Sequence, residues 1–395
     1  MKVLVHLSSL RTPLTGIGRY TLNLIKELIS SEEVEEVRGF DQSGVYSQSQ
    51  VIDLIESLDC PQSEHKNCEN VEVIKRVRRL VASVPGARLA YQCFKQYKLN
   101  RHKQALKGFV YWEPNYLLSE FDGASVVTIH DLSHIEYPDL HPKERVAEME
   151  RRLPDTWVSA SRLQAVSNFT KFEIEKIISP NQPIDIVSPA VGDEFFNVPD
   201  EKITVVRSHF ELPETFVLSV ATFEPRKNLT RLIQAFDQLP EQTKCKFPLV
   251  MVGARGWGDS DVKNILNHLI NKNQAYILGY VPQELLAPLY AAATISVYVS
   301  VYEGFGMPIA ESMAAGTPVI TSKISSMPEV AGEAAIVVDP YSEQEITQAM
   351  KTLLHDMDLQ SAIVKEGLIR AKQFTWHNSG LNLIKSLKQA SKVIH

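Results

Sequence analysis

The segment Glu303 to Gly316 reads as a strand end, a glycine loop and a short helix. Pro308 suits the first helical position, where its missing N–H costs nothing. Gly316 suits the position just past the helix end, where a left-handed residue is wanted. Such a helix start offers free N–H groups and a positive dipole end to a phosphate. Gly304, Phe305 and Gly306 form the preceding loop, whose glycines let a ligand approach the backbone. Two carboxylates bracket this anion site, Glu303 before the loop and Glu311 in the expected first turn. A carboxylate beside a phosphate is repelled, so both acids are expected to accept hydrogen bonds from hydroxyls such as those of sugars. The same pattern also fits a surface loop with one acid capping the dipole.

Arg226 and Lys227 follow the apolar run Phe216 to Val220 and precede a helical pattern. At the carboxyl end of a strand they can clamp a diphosphate, Arg as a fork and Lys as a point charge; ordinary charges on a solvated loop are the alternative. Gly16 and Gly18 lie between the first strand and the first helix, a pair that permits close approach of phosphate or sugar. A dinucleotide fold is a rival reading, but Thr21 stands where its third glycine belongs. His130 follows the strand Val126 to Ile129 and can donate a hydrogen bond to a bound sugar or to developing negative charge, or turn to solvent. Asp131 can orient that ring or cap a helix. Asp259 and Asp261 make a D-x-D, but Asp261 also suits a helix N-cap and no other metal ligand is near, so no metal site is expected.

Those loops need scaffolds. Short apolar strands at residues 2–7, 108–111, 125–129, 161–166 and 185–187 alternate with helical patterns, which argues a parallel sheet covered on both faces. Pro189, Pro199 and Pro213 punctuate an acidic, weakly periodic stretch, after which the alternation restarts at Phe216. The reading is α/β: two doubly wound, Rossmann-like domains, 1–195 and 196–375, facing a cleft at the carboxyl ends of their strands.

A chain of 395 residues suits two cores. With 44% hydrophobic and 22% charged residues it has a globular composition, and no apolar run approaches the ~20 residues that span a membrane. The start, Met1 to Leu7, is a strand pattern without the charged leader and cleavage site of a signal peptide. Cys60, Cys68, Cys93 and Cys245 show no paired spacing and read as reduced thiols of a cytoplasmic protein. Although the chain carries −6 overall, residues 75–107 hold ten basic residues and no acid, among them Lys75, Arg76, Arg78, Arg79 and Arg88. Apolar and aromatic residues are interleaved. The stretch suits an anionic membrane surface; packing on the core is the plainer alternative, and nucleic acid the weaker one.

Taken jointly, these motifs resemble the retaining glycosyltransferases of family 4, which have the two-domain GT-B fold. The resemblance covers most of the chain and is strongest over 216–340. It rests on the E-x7-E pair Glu303 and Glu311 with the intervening Gly-Phe-Gly-Met-Pro, on Glu224 to Asn228, on Gly16-x-Gly18-Arg19-Tyr20, and on Thr128 to Leu132. Glu113-Pro114-Asn115 with Tyr137-Pro138 is similar to bacterial mannosyl- and deoxymannosyl-transferases of surface polysaccharide synthesis. The resemblance implies a nucleotide-sugar donor, best GDP-mannose, and a lipid-linked glycan acceptor, with no cofactor and no metal. It implies that Glu303 binds the donor sugar, Glu311 the ribose, and Arg226 and Lys227 the diphosphate. Gly16 would let the first loop close over that diphosphate, and His130 would contact the sugar near the reacting carbon. The last helix, within 376–395, would cross back onto the first domain. Ala221-Thr222 departs from the family's Gly-Arg, leaving Arg226 to supply the guanidinium. An epimerase of the same fold, or a non-catalytic nucleotide-sugar binder, remains open. If residues 75–107 dock on lipid from the cytoplasmic side, binding of the full chain to anionic vesicles should weaken as salt rises; salt-insensitive binding counts against it.

Overall fold

The computed structural model describes residues 1–12, 14–59, 96–97, 99–253 and 263–392. The first sheet contains β1 (Lys2–His6), β2 (Glu36–Asp41), β3 (Gly44–Tyr46), β4 (Phe109–Glu113), β5 (Ser125–Ile129), β6 (Arg162–Ala165) and β7 (Ile184–Ile186). Their order is β3-β2-β1-β4-β5-β6-β7, parallel except for the β2–β3 hairpin at one edge. The second sheet contains β8 (Val217–Val220), β9 (Leu249–Val252), β10 (Ala275–Gly279), β11 (Ile295–Tyr298), β12 (Val319–Ser322) and β13 (Ile336–Val338), in the all-parallel order β10-β9-β8-β11-β12-β13. Both are doubly wound, so the two Rossmann-like domains of the α/β reading are present. In each, the order reverses beside the first strand, at β1/β4 and at β8/β11, and crevices form there.

The central strands are the ones the sequence marks most clearly. Every residue of β4 and β5 is buried, as continuous apolar runs covered on both faces must be. The antiparallel edge pair β2–β3 and the helix Gln48–Asp59 were not anticipated, because Glu36-Val37-Arg38-Gly39-Phe40-Asp41 alternates and lacks such a run. The acidic stretch expected to link the domains holds the helix Asp200–His209, with Asp200 and Glu201 at its start and Arg207 and His209 at its end, each complementing the dipole.

The last helix, Trp376–Ser391, opens on Thr375, whose side chain accepts from Asn378 N. It buries Leu383, Ile384, Leu387 and Ala390 in the core of the first sheet. Gly380 lets it lie close against the Gly16–Ser30 helix: a Cβ there would stand 2.6 Å from Glu27 Cβ. Ser379 Oγ donates to the Ser188 carbonyl at 2.7 Å, and Ser386 Oγ to Asp185 Oδ2 at 2.7 Å. The chain thus passes between the domains twice, and the passages are joined where Val191 N donates to Phe374 O at 3.1 Å. Among the described residues no helix is long and apolar enough to cross a membrane.

Leu387 is fully buried in this helix whereas Leu381 is 47% exposed. Leu387→Ala should lower unfolding stability by about 2–4 kcal/mol, read from urea midpoints, and Leu381→Ala by less than about 0.5 kcal/mol. Equal effects would show that the helix does not share the first core.

Candidate active site

Strands β8 and β11 are neighbours at the switch point of the second sheet, so the loops after them converge. Arg226 and Lys227 lie in the single turn Pro225–Lys227, which ends on Asn228 in the left-handed region at φ 57°. Asn228 Nδ2 donates to Val299 O at 3.0 Å and Pro340 O at 2.7 Å, pinning that turn to the segments that follow β11 and β13. Glu303 lies within the loop that joins β11 to the Met307–Ala314 helix. Its Oε1 accepts from Lys227 Nζ at 2.6 Å and from the Tyr298 hydroxyl at 2.7 Å, and its Oε2 accepts from Arg226 Nη1 at 2.7 Å. Lys227 Nζ also donates to the Tyr298 hydroxyl at 2.9 Å.

The residues expected to share out a diphosphate and a sugar therefore form one cluster in this structure. Its electrostatics follow from burial and close charge. Burial works against the Glu303 carboxylate, but Arg226 and Lys227 overturn that and hold it down to about 2. Burial also opposes the charge of Arg226, and the carboxylates of Glu303, Asp131 and Glu224 outweigh it. Lys227 is lowered by burial and by the adjacent guanidinium, against the pull of Glu303. Tyr298 was not singled out in the sequence. It reads there as one more apolar strand residue, and only its place at the carboxyl end of β11 hinted at a site.

The loop differs from expectation in detail. The helix spans Met307–Ala314, so Pro308 is its second residue and Glu311 lies in its second turn. Gly306 precedes it at φ 104° and Gly316 follows it at φ 73°, both needing glycine. Gly304 was expected to admit a ligand, but a Cβ there would overlap the His130 carbonyl of the first domain. Phe305 packs its ring on Phe374, centroids 5.3 Å apart, inside the second core, so only its backbone belongs to the loop. Ser326 Oγ donates to the carbonyls of Glu303 at 2.9 Å and Phe305 at 2.8 Å, fixing the loop from below. Glu311 accepts from the Tyr290 hydroxyl at 3.0 Å. Burial raises its carboxyl to about 7, with Tyr290 and Arg19 of the first domain pulling the other way.

From the first domain, His130 Nε2 lies 2.7 Å from the Pro114 carbonyl. A carbonyl only accepts, so Nε2 carries the proton, burial lowers the ring's pKa, and a neutral Nδ1 is an acceptor. The anticipated donor role is thus spent on the protein itself. Asp131 Oδ1 accepts from Ser133 N at 3.1 Å and Ser133 Oγ at 2.7 Å, starting the short Ser133–Glu136 helix. Burial would raise Asp131, and the Arg226 guanidinium reverses that, holding it below the usual carboxylate range. Gly16 opens the first helix with nothing near a Cβ position. At Gly18 a Cβ would lie 2.7 Å from the Ser9 carbonyl, so the packing of its own loop already requires glycine there. Lys75, Arg76, Arg78, Arg79, Arg88, Asp259 and Asp261 lie outside the described residues, among which no group of three metal-ligating side chains occurs.

A profile for "Glycosyl transferases group 1" matches residues 202–369. The O-antigen chain mannosyltransferase B of Escherichia coli is 34% identical over 392 residues, 98% of this chain and 100% of that protein. Among solved structures, WaaG, a glycosyltransferase involved in lipopolysaccharide biosynthesis, aligns with TM-score 0.70 at 15% identity, over 98% of this chain and 99% of that one. Anabaena Alr3699/HepE in complex with UDP and glucose aligns with TM-score 0.67 at 18% identity, over 98% and 100%. The structural likenesses carry the two-domain GT-B fold.

Glu311 titrates near 7 in the fold against an ordinary 4.5. Its folded pKa is raised, so between those values the native state holds a proton that the unfolded chain has lost, and stability falls as pH rises through that window. Glu311→Gln should abolish a pH-dependent loss of at most about 3 kcal/mol, read by urea unfolding at about pH 4.5 and about pH 8. The same slope in both proteins would contradict the raised carboxyl pKa.

Proposed function

The chain belongs to the group 1 glycosyl transferases, and on that premise we propose that it moves mannose from GDP-mannose, with retention of configuration, onto a lipid-linked or oligosaccharide acceptor of bacterial surface polysaccharide. The observation that carries the site is the hydrogen-bonded cluster of Glu303, Arg226, Lys227 and Tyr298 at the switch point, beside the helix start at Gly306. The sugar and acceptor class rest on the likeness to the O-antigen mannosyltransferase.

In this reading the bond between the sugar's anomeric carbon and the β-phosphate oxygen breaks, and its electron pair leaves with the phosphate. An acceptor hydroxyl oxygen bonds to the same face of that carbon, and its proton passes to the departing phosphate. Arg226 and Lys227 stabilise the charge that develops there, together with the helix start. They supply the positive charge with no metal invoked. Glu303 orients both cations and accepts from the sugar's hydroxyls, Glu311 receives the ribose, and the neutral Nδ1 of His130 accepts from a sugar hydroxyl. Arg19 and the Gly16 turn face the donor from the first domain. Residues 75–107 bring the protein to the cytoplasmic face of the membrane, where such acceptors are built.

Purified protein incubated with GDP-mannose and a synthetic lipid-linked mannoside should yield GDP and an α-mannosylated lipid. Glu303→Ala and Lys227→Ala should each cut kcat by about a hundredfold or more with circular dichroism unchanged. Free epimerised sugar, or no product from the wild type, would overturn the proposed reaction. Full activity in either variant would overturn the site.

A further inference from the structure

The donor loop is held from the other domain. The Gly304 carbonyl accepts from Ser167 Oγ at 2.6 Å and Thr170 Oγ1 at 3.0 Å. Both hydroxyls belong to the first turn of the Asn168–Ile177 helix, capped by Ser167, and both residues are essentially without solvent exposure. The same helix start is covered from the second domain by Glu329, whose Oε1 accepts from Asn168 N and Nδ2 at 2.8 Å and whose Oε2 accepts from Phe169 N at 2.9 Å. A carboxylate of one domain thus occupies the positive end of a helix of the other. Tyr302, one residue before Glu303, completes the contact: its hydroxyl accepts from Leu132 N at 3.2 Å and its ring lies 5.6 Å from that of Phe169. Gly304 leaves no room between these groups and the His130 carbonyl.

We infer that Ser167 and Thr170 are positioning residues for transfer: by fixing the Gly304 carbonyl they set Glu303, one residue away, in register with His130. The inference rests on the proposed transfer reaction for its kinetic consequence and on geometry alone for the contact. Without these two hydroxyls the second domain still holds a nucleotide, because neither touches the Arg226–Lys227 turn or Glu311. What is lost is the alignment of Glu303 against the first domain, and small misplacements of this kind cost rate rather than binding.

The test compares the wild type with Thr170→Val, which keeps the Ser167 cap, with Ser167→Ala/Thr170→Val, and with Gly304→Ala. Expected is a fall in kcat of about tenfold or more for transfer from GDP-mannose, with the Kd for GDP changed less than about threefold. Amide hydrogen exchange over residues 303–306 should accelerate in the double variant whether or not any sugar is transferred. Unchanged kcat with unchanged exchange would overturn the inference, as would parallel loss of kcat, GDP affinity and thermal stability. If the wild type fails to transfer mannose, the proposed function falls while the exchange result still decides the contact.

Discussion

The Glu303 carboxylate is the point on which the site is built. Three donors from one loop and one strand meet on its two oxygens: Lys227, Arg226 and the Tyr298 hydroxyl. A buried acid is costly alone, and two partly buried cations side by side repel each other. Together they form a group in which each charge justifies the others. Removing the acid would leave an ammonium and a guanidinium side by side and partly buried, so the arrangement of the β8 loop depends on the β11 loop. Asn228 bonding to Val299 and Pro340 gives the same dependence through neutral hydrogen bonds.

The first domain reaches this group without entering it. Asp131 acts on Arg226 through charge, the His130 carbonyl abuts Gly304, and the Ser167–Thr170 turn holds the next carbonyl along. The donor loop therefore meets the first domain through its backbone at Gly304, while Glu303, Arg226 and Lys227 bond to one another within the second domain. Contacts made through carbonyls and a missing Cβ tolerate little variation in shape. They say where the two halves must stand, and the charges say what can bind between them.

Much of this was legible in residue order. Glu303, Arg226 and Lys227 follow apolar strands and precede helix starts marked by proline, glycine or asparagine, so chemistry and position announce themselves together. Tyr298 was hidden because a buried tyrosine at a strand end looks like core until its hydroxyl finds a partner. Ser167 and Thr170 read only as a helix start, since their second role depends on a carbonyl more than 130 positions away. Gly18 and Gly304 show the limit from the other side. A glycine reports that something comes close, and here the Ser9 and His130 carbonyls are neighbours that already demand it. The β2–β3 hairpin was missed for want of an apolar run, since an edge strand needs only one buried face.

The returning helix Trp376–Ser391 gives the molecule a mechanical property. A single linker would let one domain swivel freely about the other. Here two crossings are bonded side by side, Val191 to Phe374, and the second is anchored by a helix sunk in the first core. Paired tethers of this kind resist twisting and leave bending about one line as the soft motion. Opening then resembles a book moving on its spine: however far the covers part, they come back to the same page, with Gly304 facing His130.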